Sequence, residues 1–253
     1  MIKKDIVITS AIRTAVGSLG KSLKNVAGDD LGSEVILNSI KKSKIKTEEV
    51  DEVIMGQVLT ASAGQNPARQ AAMKSGIPKE KPAYIVNQVC GSGLRSIASG
   101  FQSIKAGDSK IVIAGGQECM SLAPHAIHLR DGKKLGDAEI TDTMIKDGLW
   151  DAFHGYHMGV TAENVSTKFQ VTREDQDKFA LRSQEKALMA QKTNKFHDEI
   201  INFKIKSNKA EIDFKIDEHP RKDISLESLT RLKNVFKKDG TVTAGNASGI
   251  NDG

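Results

Sequence analysis

The sequence predicts an α/β protein built around a largely parallel sheet. Two observations lead to this fold class. Short apolar runs typical of strands alternate with segments of helical periodicity as far as Gly116, and 38% of the 253 residues are hydrophobic, which is enough for a sizeable core. Alternation of this kind favours parallel pairing, because a parallel strand has to be reached through a long crossover that is usually a helix.

The predicted elements follow this order along the first part of the chain. An apolar run predicts a strand over residues 4–10, and Asp29 and Asp30 are placed to cap a helix over residues 31–40. The next elements are a strand at 51–59, a helix at 66–74 with Pro67 in its first position, a strand at 84–86, a helix that continues through residue 105, and a strand at 109–114 followed by two glycines.

Beyond Glu118 the alternation is lost. Residues 120–148 are irregular and polar, a long excursion of the kind tied to function or assembly. The later predictions are helices at 160–169 and 173–192, the second with Thr172 and Asp175 in a capping-box-like start, a hairpin of 199–206 and 210–216, and a segment of small residues at 240–253 that is typical of backbone lining a narrow channel.

Cys90 stands where an apolar strand-like run breaks and a helix-like run begins. Gly91 and Gly93 keep the turn slim, and apolar residues recur at helical spacing after it. We therefore expect Cys90 at or just before a helix N-terminus. There, unpaired N–H groups and the helix dipole favour a thiolate and can hold the oxyanion of an attacked carbonyl. An isolated cysteine is more often a small buried side chain, but this context favours a nucleophile.

Composition argues against several classes of function. The formal charge of +5 is spread over short lysine-rich pieces, aromatic residues make up only 4%, and no nucleic-acid-binding motif is present, so we expect no nucleic-acid partner. No apolar run is long enough to cross a bilayer, so we expect no membrane association. Two cysteines and no apolar leader after Met1 predict a cytoplasmic protein.

Six short segments spread over the whole chain form a recognisable set. They are 12–17 (IRTAVG), 64–70 (GQNPARQ), the turn at Cys90, 115–121 (GGQECMS), 155–159 (GYHMG) with 161–164 (TAEN), and 245–253 (GNASGINDG). In this order and at these distances they resemble the thiolases, specifically the short-chain acetyl-CoA acetyltransferase group. Each segment alone is weak, and the set is specific.

The resemblance implies a layered α-β-α half of the thiolase fold with an inserted loop domain, and without the C-terminal half of the family fold. It divides the chain into an N-terminal α/β core at 1–120, a loop domain at 121–241 with a tetramerisation loop and coenzyme A-binding elements, and a return segment to the core at 242–253. The family forms dimers and tetramers, so the resemblance implies a homodimer or homotetramer.

The activity that the resemblance implies is that of an acetyl-CoA C-acetyltransferase. Thiolases catalyse the reversible Claisen condensation of two acetyl-CoA to acetoacetyl-CoA and CoA through an acyl-cysteine intermediate. Acetyl-CoA and acetoacetyl-CoA are therefore the implied small-molecule partners. Coenzyme A thioesters are substrates in this chemistry, so no cofactor and no metal are expected.

The resemblance also assigns roles to individual residues. Cys90 matches the acylated nucleophile, and its own N–H matches one donor of the oxyanion hole. The residues that match the acyl pocket and pantetheine channel are His157, Met158, Ala244, Ser248 and Ile250, and those that match the nucleotide end of CoA are Leu149, Arg221 and Ser228. An alternative stays open for each group: helix-start packing and a plain loop for the first, and a solvated charge with a helix-cap serine for the second.

Two histidines and the second cysteine receive structural interpretations. His125 and His128 lie in a segment, 121–130, that resembles the tetramerisation loop of thiolases. No other ligand is close to them in sequence, so we interpret them as loop and interface residues rather than as metal ligands. Cys119 is interpreted as a packed thiol rather than as a partner of Cys90.

Three family segments do not occur in the 253 residues. They are a Gly-His-Pro segment whose histidine activates the nucleophile, an Asn-Glu-containing segment that orders a catalytic water, and a Cys-Gly-Gly-Gly segment whose cysteine deprotonates the second acetyl group. A truncated enzyme would still carry the acyl-accepting cysteine. A complete natural product would be a catalytically inactive thiolase-like CoA-binding or assembly module. A truncated half would also expose a large apolar face where the second half packs, so we expect poor solubility in isolation.

A cysteine hydrolase is the rival enzyme class. The residues from Cys90 to Gly93 could pass for a fragment of a papain-like signature. That signature requires a second cysteine where Gly93 stands, together with a later aligned histidine and asparagine. The context therefore favours acyl transfer over hydrolysis.

Overall fold

A computed structural model describes residues 5–206 and 211–253 of the chain. Its helices are α1 (Gly28–Ser43), α2 (Pro67–Lys74), α3 (Ser92–Ala106), α4 (Met158–Phe169), α5 (Arg173–Lys192) and α6 (Leu226–Thr230). Its strands are β1 (Gly17–Ser18), β2 (Glu52–Gly56), β3 (Ala83–Val86), β4 (Val112–Gly116), β5 (His125–Ala126), β6 (Thr141–Asp142), β7 (Trp150–Asp151), β8 (Tyr156–His157), β9 (Phe203–Lys206), β10 (Glu211–Phe214) and β11 (Asn251–Asp252). Short 3-10 helices occupy Thr47–Glu49 and Met120–Leu122, and a π-helix occupies Met144–Leu149.

The strands β2, β3 and β4 form a parallel sheet with β2 in the middle. Gly56 at the end of β2 pairs with Val86 of β3 and with Gly116 of β4, so the carboxyl ends of the strands lie at one edge of the sheet. A helix makes each crossover, α2 between β2 and β3 and α3 between β3 and β4. The predicted parallel α/β arrangement is confirmed.

Helices cover both faces of this sheet. On one face, α1 and α2 pack against it, and Ile36, Val53, Met55 and Ala71 belong to one buried cluster there. On the other face, α3 comes close to β4, since a Cβ added to Gly100 would lie 3.0 Å from a methyl carbon of Val112. The layered α-β-α arrangement is therefore present, and it buries the central strand β2 from both sides.

The helix predicted after Cys90 is confirmed by α3, but its large apolar residues point away from the sheet. Leu94, Ile97 and Phe101 are 74%, 43% and 52% exposed. Small residues face the sheet instead, and Ser96 and Gly100 are buried there. The outer side of α3 is thus an exposed apolar surface, of the kind expected from the sequence.

Two predicted helix starts are confirmed. Pro67 is the first residue of α2, and Asn66 before it caps the helix by accepting a hydrogen bond from the Arg69 N–H at 3.1 Å. Thr172 and Asp175 form a reciprocal capping box at the start of α5. Both starts depend on contacts within four residues, which is why local sequence predicts them.

The prediction that Asp29 and Asp30 cap the first helix is wrong. The N-cap of α1 is Ala27, which makes no side-chain cap, and both aspartates lie in the first helical turn. Each carboxylate has an oxygen 2.5 Å from Lys74 Nζ of α2. The acidic residues therefore favour the positive end of the helix dipole and pair across two helices instead of capping.

The strand predicted over residues 4–10 is also not formed in the described part of the chain. Residues 5–10 belong to no sheet, Val7 and Ile8 are 71% and 76% exposed, and residue 4 lies outside the described residues. Instead, the segment touches α1 through hydroxyl groups, with Thr9 Oγ1 at 2.9 Å from Ser43 Oγ. An apolar run shows which residues favour burial, but it does not supply the neighbouring strand that a sheet needs.

The predicted hairpin is confirmed over the described residues. β9 and β10 pair antiparallel, with Phe203 opposite Phe214, and residues 207–210 of the prediction lie outside the described part. Both phenylalanines are buried. They join a second apolar core with Ala15, Leu23 and Leu31.

The excursion at residues 120–148 is more ordered than predicted. β5 pairs with β6 inside it, and β7 with β8 just after it. The return segment at 242–253 ends in β11, which pairs with β1, while the Asp252 carboxylate accepts bonds from the N–H and the hydroxyl of Ser121 at 2.9 and 2.6 Å. The domain limits at 1–120, 121–241 and 242–253 stay predictions.

We expect Gly56→Ala to lower the free energy of unfolding by about 1–3 kcal/mol, the usual cost of overpacking. A methyl group at Gly56 would overlap the backbone of Ser92 and Gly93, which cannot move without shifting α3. Urea unfolding measures the change. Gly93→Ala is the matched control, because a methyl group there meets open space, and it should leave stability equal or raise it by up to about 1 kcal/mol. Equal stability of the two variants would contradict the close contact.

Candidate active site

Cys90 lies in the turn between β3 and α3, which is held by several hydrogen bonds. The Val89 N–H donates to Asn87 Oδ1 at 2.9 Å, and the Gln88 N–H donates to Ser92 Oγ at 2.8 Å. The hydroxyl of Ser92 in turn donates to the Val89 carbonyl at 2.6 Å. These bonds tie both ends of the turn together and hold Cys90 at its tip, where it is exposed.

Val89 adopts a left-handed backbone conformation with a φ of 48°. For a β-branched residue this conformation is an outlier that costs about 1–2 kcal/mol, and it persists only where surrounding contacts impose it. The turn bonds described above supply those contacts. The sharp reversal that results lifts Cys90 out of the strand and onto the start of the helix, as in other strand-to-helix turns that present nucleophiles.

Of the three N–H groups of Cys90, Gly91 and Ser92, the turn leaves that of Cys90 available as a donor. Gly91 and Ser92 donate to the carbonyls of Gln88 and Val89 at 3.1 and 3.0 Å, so both of these groups are occupied. Within the described residues, the Cys90 N–H makes no hydrogen bond of normal geometry. It therefore stays available at the positive end of α3, as expected for a donor to an oxyanion.

Glycines allow the first turn of α3 to sit directly on the strand ends. Gly56 meets the backbone of Gly93, and a Cβ at Gly116 would lie 3.5 Å from Gly93 Cα. The Ser96 hydroxyl bonds the Gly115 carbonyl at 2.6 Å. Because backbone meets backbone here, the position of Cys90 relative to the sheet is set by rigid elements rather than by side chains.

His157 caps α4 with its own ring. The Gly159 N–H donates to His157 Nδ1 at 3.0 Å, so in the neutral ring the proton is on Nε2, which is left as a donor. The other predicted pocket residue, Met158, begins α4 and is 38% exposed. His157 and Met158 therefore start a helix, as the alternative of helix-start packing holds. They also present a hydrogen-bond donor and a flexible apolar side chain, which a substrate pocket could use.

Phe236 is a residue of this region that sequence reasoning missed. Its ring stacks on His157, with the centroids 4.9 Å apart, and it occupies the space beside Gly159 that a Cβ would take. The only available signal was a single aromatic residue in the polar stretch 233–239 of an aromatic-poor chain. The ring fixes the orientation of the histidine from outside its own helix.

Glu163 of α4 is a second missed residue. It is only 3% exposed, and its carboxylate accepts bonds from the N–H groups of Thr241 and Val242 at 2.9 and 2.8 Å. Burial alone would raise the pKa of Glu163, but these bonds and one from the Thr241 hydroxyl outweigh burial and hold the pKa below its usual value. The ionised carboxylate thus ties α4 to the return segment.

The return segment carries three predicted channel residues. Ala244 and Ser248 are exposed, and Ile250 is half-buried. The ring of His219 lies against Gly249, where a Cβ would overlap it, so the segment has bare backbone at this point. Burial and the nearby positive charges of Arg221 and Lys21 lower the pKa of His219, which favours the neutral ring. The assignment of these residues to a channel lining stays a prediction.

The residues predicted at the nucleotide end are spread over separate elements. Leu149 ends the π-helix and is half-buried, and Arg221 is exposed, with its N–H donating to Gln184 at 2.8 Å. Ser228 shares a capping box with Ser225 at α6, so the helix-cap contact named as an alternative is present. The two contacts engage the Arg221 backbone and the Ser228 hydroxyl, and they leave the Arg221 guanidinium exposed.

Only part of the predicted site is brought together by direct contacts. Phe236 and Glu163 connect the start of α4 to the segment that leads into Ala244. Cys90 lies at the carboxyl edge of the sheet, where the Glu118 carboxylate also binds the Val58 N–H at 2.8 Å. Within the described residues, no hydrogen bond joins the Cys90 side chain to another predicted site residue.

The comparisons with known proteins cover almost the whole chain. The N-terminal domain family of thiolases matches residues 6–253. The chain belongs to the thiolase family. This thiolase domain is 55% identical over its full length to the acetyl-CoA acetyltransferase of Rhizobium meliloti, and 51% identical over 98% of its length to the cytosolic acetyl-CoA acetyltransferase of Rattus norvegicus.

A solved structure supports the thiolase fold. The crystal structure of the Bacillus anthracis acetyl-CoA acetyltransferase superposes with a TM-score of 0.94 at 43% sequence identity, over 97% of this chain and 62% of that one. The chain spans about 64% of the Rhizobium meliloti protein and 63% of the rat protein. The chain thus corresponds to the N-terminal part of these relatives.

The described residues contain neither a metal-binding cluster nor a membrane-spanning helix. No group of at least three His, Cys, Asp or Glu residues in that part of the chain is arranged to hold a metal ion. None of the helices described there is long and apolar enough to cross a membrane. His125 has its Nε2 3.9 Å from Asp142 Oδ2, across the β5–β6 pair.

We expect Glu163→Gln to lower stability by about 1–3 kcal/mol at pH 7, because the NH2 group that replaces Oε2 cannot accept from the Thr241 N–H and the negative charge is lost. The pKa of Glu163 is lowered in the folded state, so its contribution is fully present above the usual 4.5 and is lost as pH falls through the folded-state pKa. Urea unfolding at several pH values should therefore show the difference from wild type shrinking below about pH 4.5.

Glu227→Gln is the matched control for this experiment. Glu227 pairs with Arg231 on the surface, and its side chain is 74% exposed. Exposed pairs contribute about 0–1 kcal/mol, so the control should change little at any pH. A Glu163→Gln effect that stayed constant down to pH 3 would show that the loss is not electrostatic.

Proposed function

We propose that this chain binds acetyl-CoA and accepts its acetyl group on Cys90, the first half-reaction of an acetyl-CoA C-acetyltransferase. The observation that carries the proposal is the exposed thiol directly after the left-handed Val89. Its own N–H, at the start of α3, has no hydrogen-bond partner in the described part of the chain. The whole reaction would be the reversible condensation of two acetyl-CoA to acetoacetyl-CoA and CoA. The names of the relatives support this substrate class.

In the proposed step, the Cys90 thiolate attacks the carbonyl carbon of the thioester. The carbonyl oxygen becomes an oxyanion that accepts a hydrogen bond from the Cys90 N–H, and the helix dipole stabilises the same charge. When the carbonyl re-forms, the bond from carbon to the CoA sulfur breaks, and CoA leaves as a thiolate that takes up a proton. One carbon–sulfur bond replaces another, so the exchange is nearly balanced in energy.

The binding residues have matching tasks in this proposal. Met158 limits the pocket to acetyl-sized groups, and His157 offers its Nε2 proton to the thioester or the pantetheine arm. Ser248 bonds the pantetheine amide, between Ala244 and Ile250 on the small-residue backbone. Arg221 would bind phosphate with its exposed guanidinium, beside Leu149 and Ser228 at the nucleotide end.

The condensation step needs a base that removes a proton from the second acetyl group. The segments that the family resemblance implies for this task do not occur in the 253 residues. We therefore propose that these residues by themselves accept the acetyl group without forming acetoacetyl-CoA. We further propose a homodimer or homotetramer, as the family resemblance implies, and no cofactor beyond the CoA substrates. A cytoplasmic location is proposed as well, and the two free thiols and the cytosolic rat relative support it.

The decisive measurement is the intact mass of the purified chain after exposure to acetyl-CoA. We expect one acetyl adduct, lost on treatment with free CoA, and no adduct on Cys90→Ala. Cys119→Ala is the matched control and should acetylate like wild type. Cys119 is buried, and its burial together with the nearby Asp252 raises the pKa of this thiol to about 12.

A second measurement distinguishes an acyl-accepting enzyme from a binding module. Calorimetry with CoA should show binding both to wild type and to Cys90→Ala, because the thiol is not needed for affinity. Binding without any adduct would support the CoA-binding or assembly module instead. An adduct that persists on Cys90→Ala would overturn the assignment of the nucleophile.

A further inference from the structure

Asp177 of α5 is a fully buried carboxylate that the proposed acyl transfer does not use. Its residue exposure is 0%. Asp177 Oδ2 accepts a hydrogen bond from Arg173 Nε at 2.7 Å, and Oδ1 accepts one from Asn246 Nδ2 at 2.9 Å. A buried charge is tolerated only when it is paired and hydrogen-bonded. An arginine of the same helix and an amide of the return segment therefore converge on one carboxylate.

The first arm runs through Arg173 to α6. The Arg173 Nη2 group donates to the carbonyl of Leu229 at 2.7 Å and to that of Leu232 at 3.0 Å. These carbonyls lie at the carboxyl end of α6, the short helix that carries Ser228. The position of α6 relative to Asp177 is thus set by a guanidinium whose planar donors fix both distance and direction.

The second arm runs through Asn246 to the return segment. Asn246 Oδ1 accepts the Thr243 N–H at 2.7 Å, and its Nδ2 also donates to the Thr241 carbonyl at 3.1 Å. The amide thereby closes the turn from Thr241 to Asn246, which contains Ala244. Because Asp177 holds this amide, it holds the backbone of the predicted pantetheine channel as well.

Apolar packing joins the ends of the two arms. The backbone of Gly245 rests on the side chains of Leu229 and Leu232, and a Cβ at this glycine would overlap both. Leu229 and Leu232 thus accept from Arg173 with their carbonyls and contact the return segment with their side chains. Leu229 is 1% exposed, so this contact is buried.

We propose that Asp177 is a positioning residue that sets the spacing between the nucleotide end and the pantetheine end of the CoA site. This inference rests on the proposed binding of CoA. A ligand that spans both ends depends on their separation, because rigid support of the binding groups avoids the cost of ordering them. A ligand that reaches only the return segment does not depend on that separation.

The test compares CoA with pantetheine, which lacks the nucleotide, on Arg173→Lys by calorimetry. A lysine lacks the planar donors that reach both Asp177 and the two carbonyls at α6, so the α6 arm is released while Asn246 stays bound to Asp177. We expect affinity for CoA to fall about tenfold, as for one lost hydrogen bond, and affinity for pantetheine to change less than about twofold. Glu174→Gln is the control on the same helix. Its side chain is 68% exposed, and both affinities should stay unchanged.

The outcomes separate this inference from the proposed function. Unchanged affinity for CoA, or an equal loss for both ligands, would overturn the positioning role while leaving CoA binding intact. Wild type that binds neither ligand would overturn the proposed function, and this inference with it. If Arg173→Lys does not fold, Asp177→Asn is the second variant. It leaves one acceptor oxygen for two donors, so affinity for CoA should fall there as well. Affinity for CoA equal to that of wild type in this variant would also overturn the role.

Discussion

The geometry of the site depends on the contact between the first turn of α3 and the carboxyl ends of the parallel strands. Gly56 and Gly116 leave no side chain between backbone and backbone at this point, so the helix start lies directly on the sheet edge. The strained Val89 can then be held by bonds from both sides of the turn. Without this contact, neither the exposure of Cys90 nor the direction of its N–H would be defined.

Outside the central sheet, buried carboxylates connect segments that are distant in sequence, as strand pairing does within the sheet. Glu163, Asp177 and Asp252 are 3%, 0% and 1% exposed, and each accepts bonds from at least one segment distant in sequence. Beyond residue 116 the strands are short, so the longer polar segments have few partners for their N–H groups. An ionised carboxylate accepts several donors at once, which lets one side chain organise a whole loop.

The two cysteines show how environment decides the chemistry of one residue type. Cys119 is buried, lies beside Asp252, and has its pKa raised to about 12, so it stays a neutral packed thiol as predicted. Cys90 lies in the open at the positive end of a helix. Exposure and the helix terminus together are the conditions under which a thiol can act as a nucleophile.

Local sequence determined the elements whose causes lie within a few residues: the parallel strand and helix order, the starts of α2 and α5, and the turn that presents Cys90. The tertiary structure alone decided the rest. The apolar run at Val7 and Ile8 formed no strand, because a strand needs a partner that periodicity does not supply. Phe236 and Asp177 gained their contacts from segments about 70–80 residues away, and no local pattern records contacts at such separation.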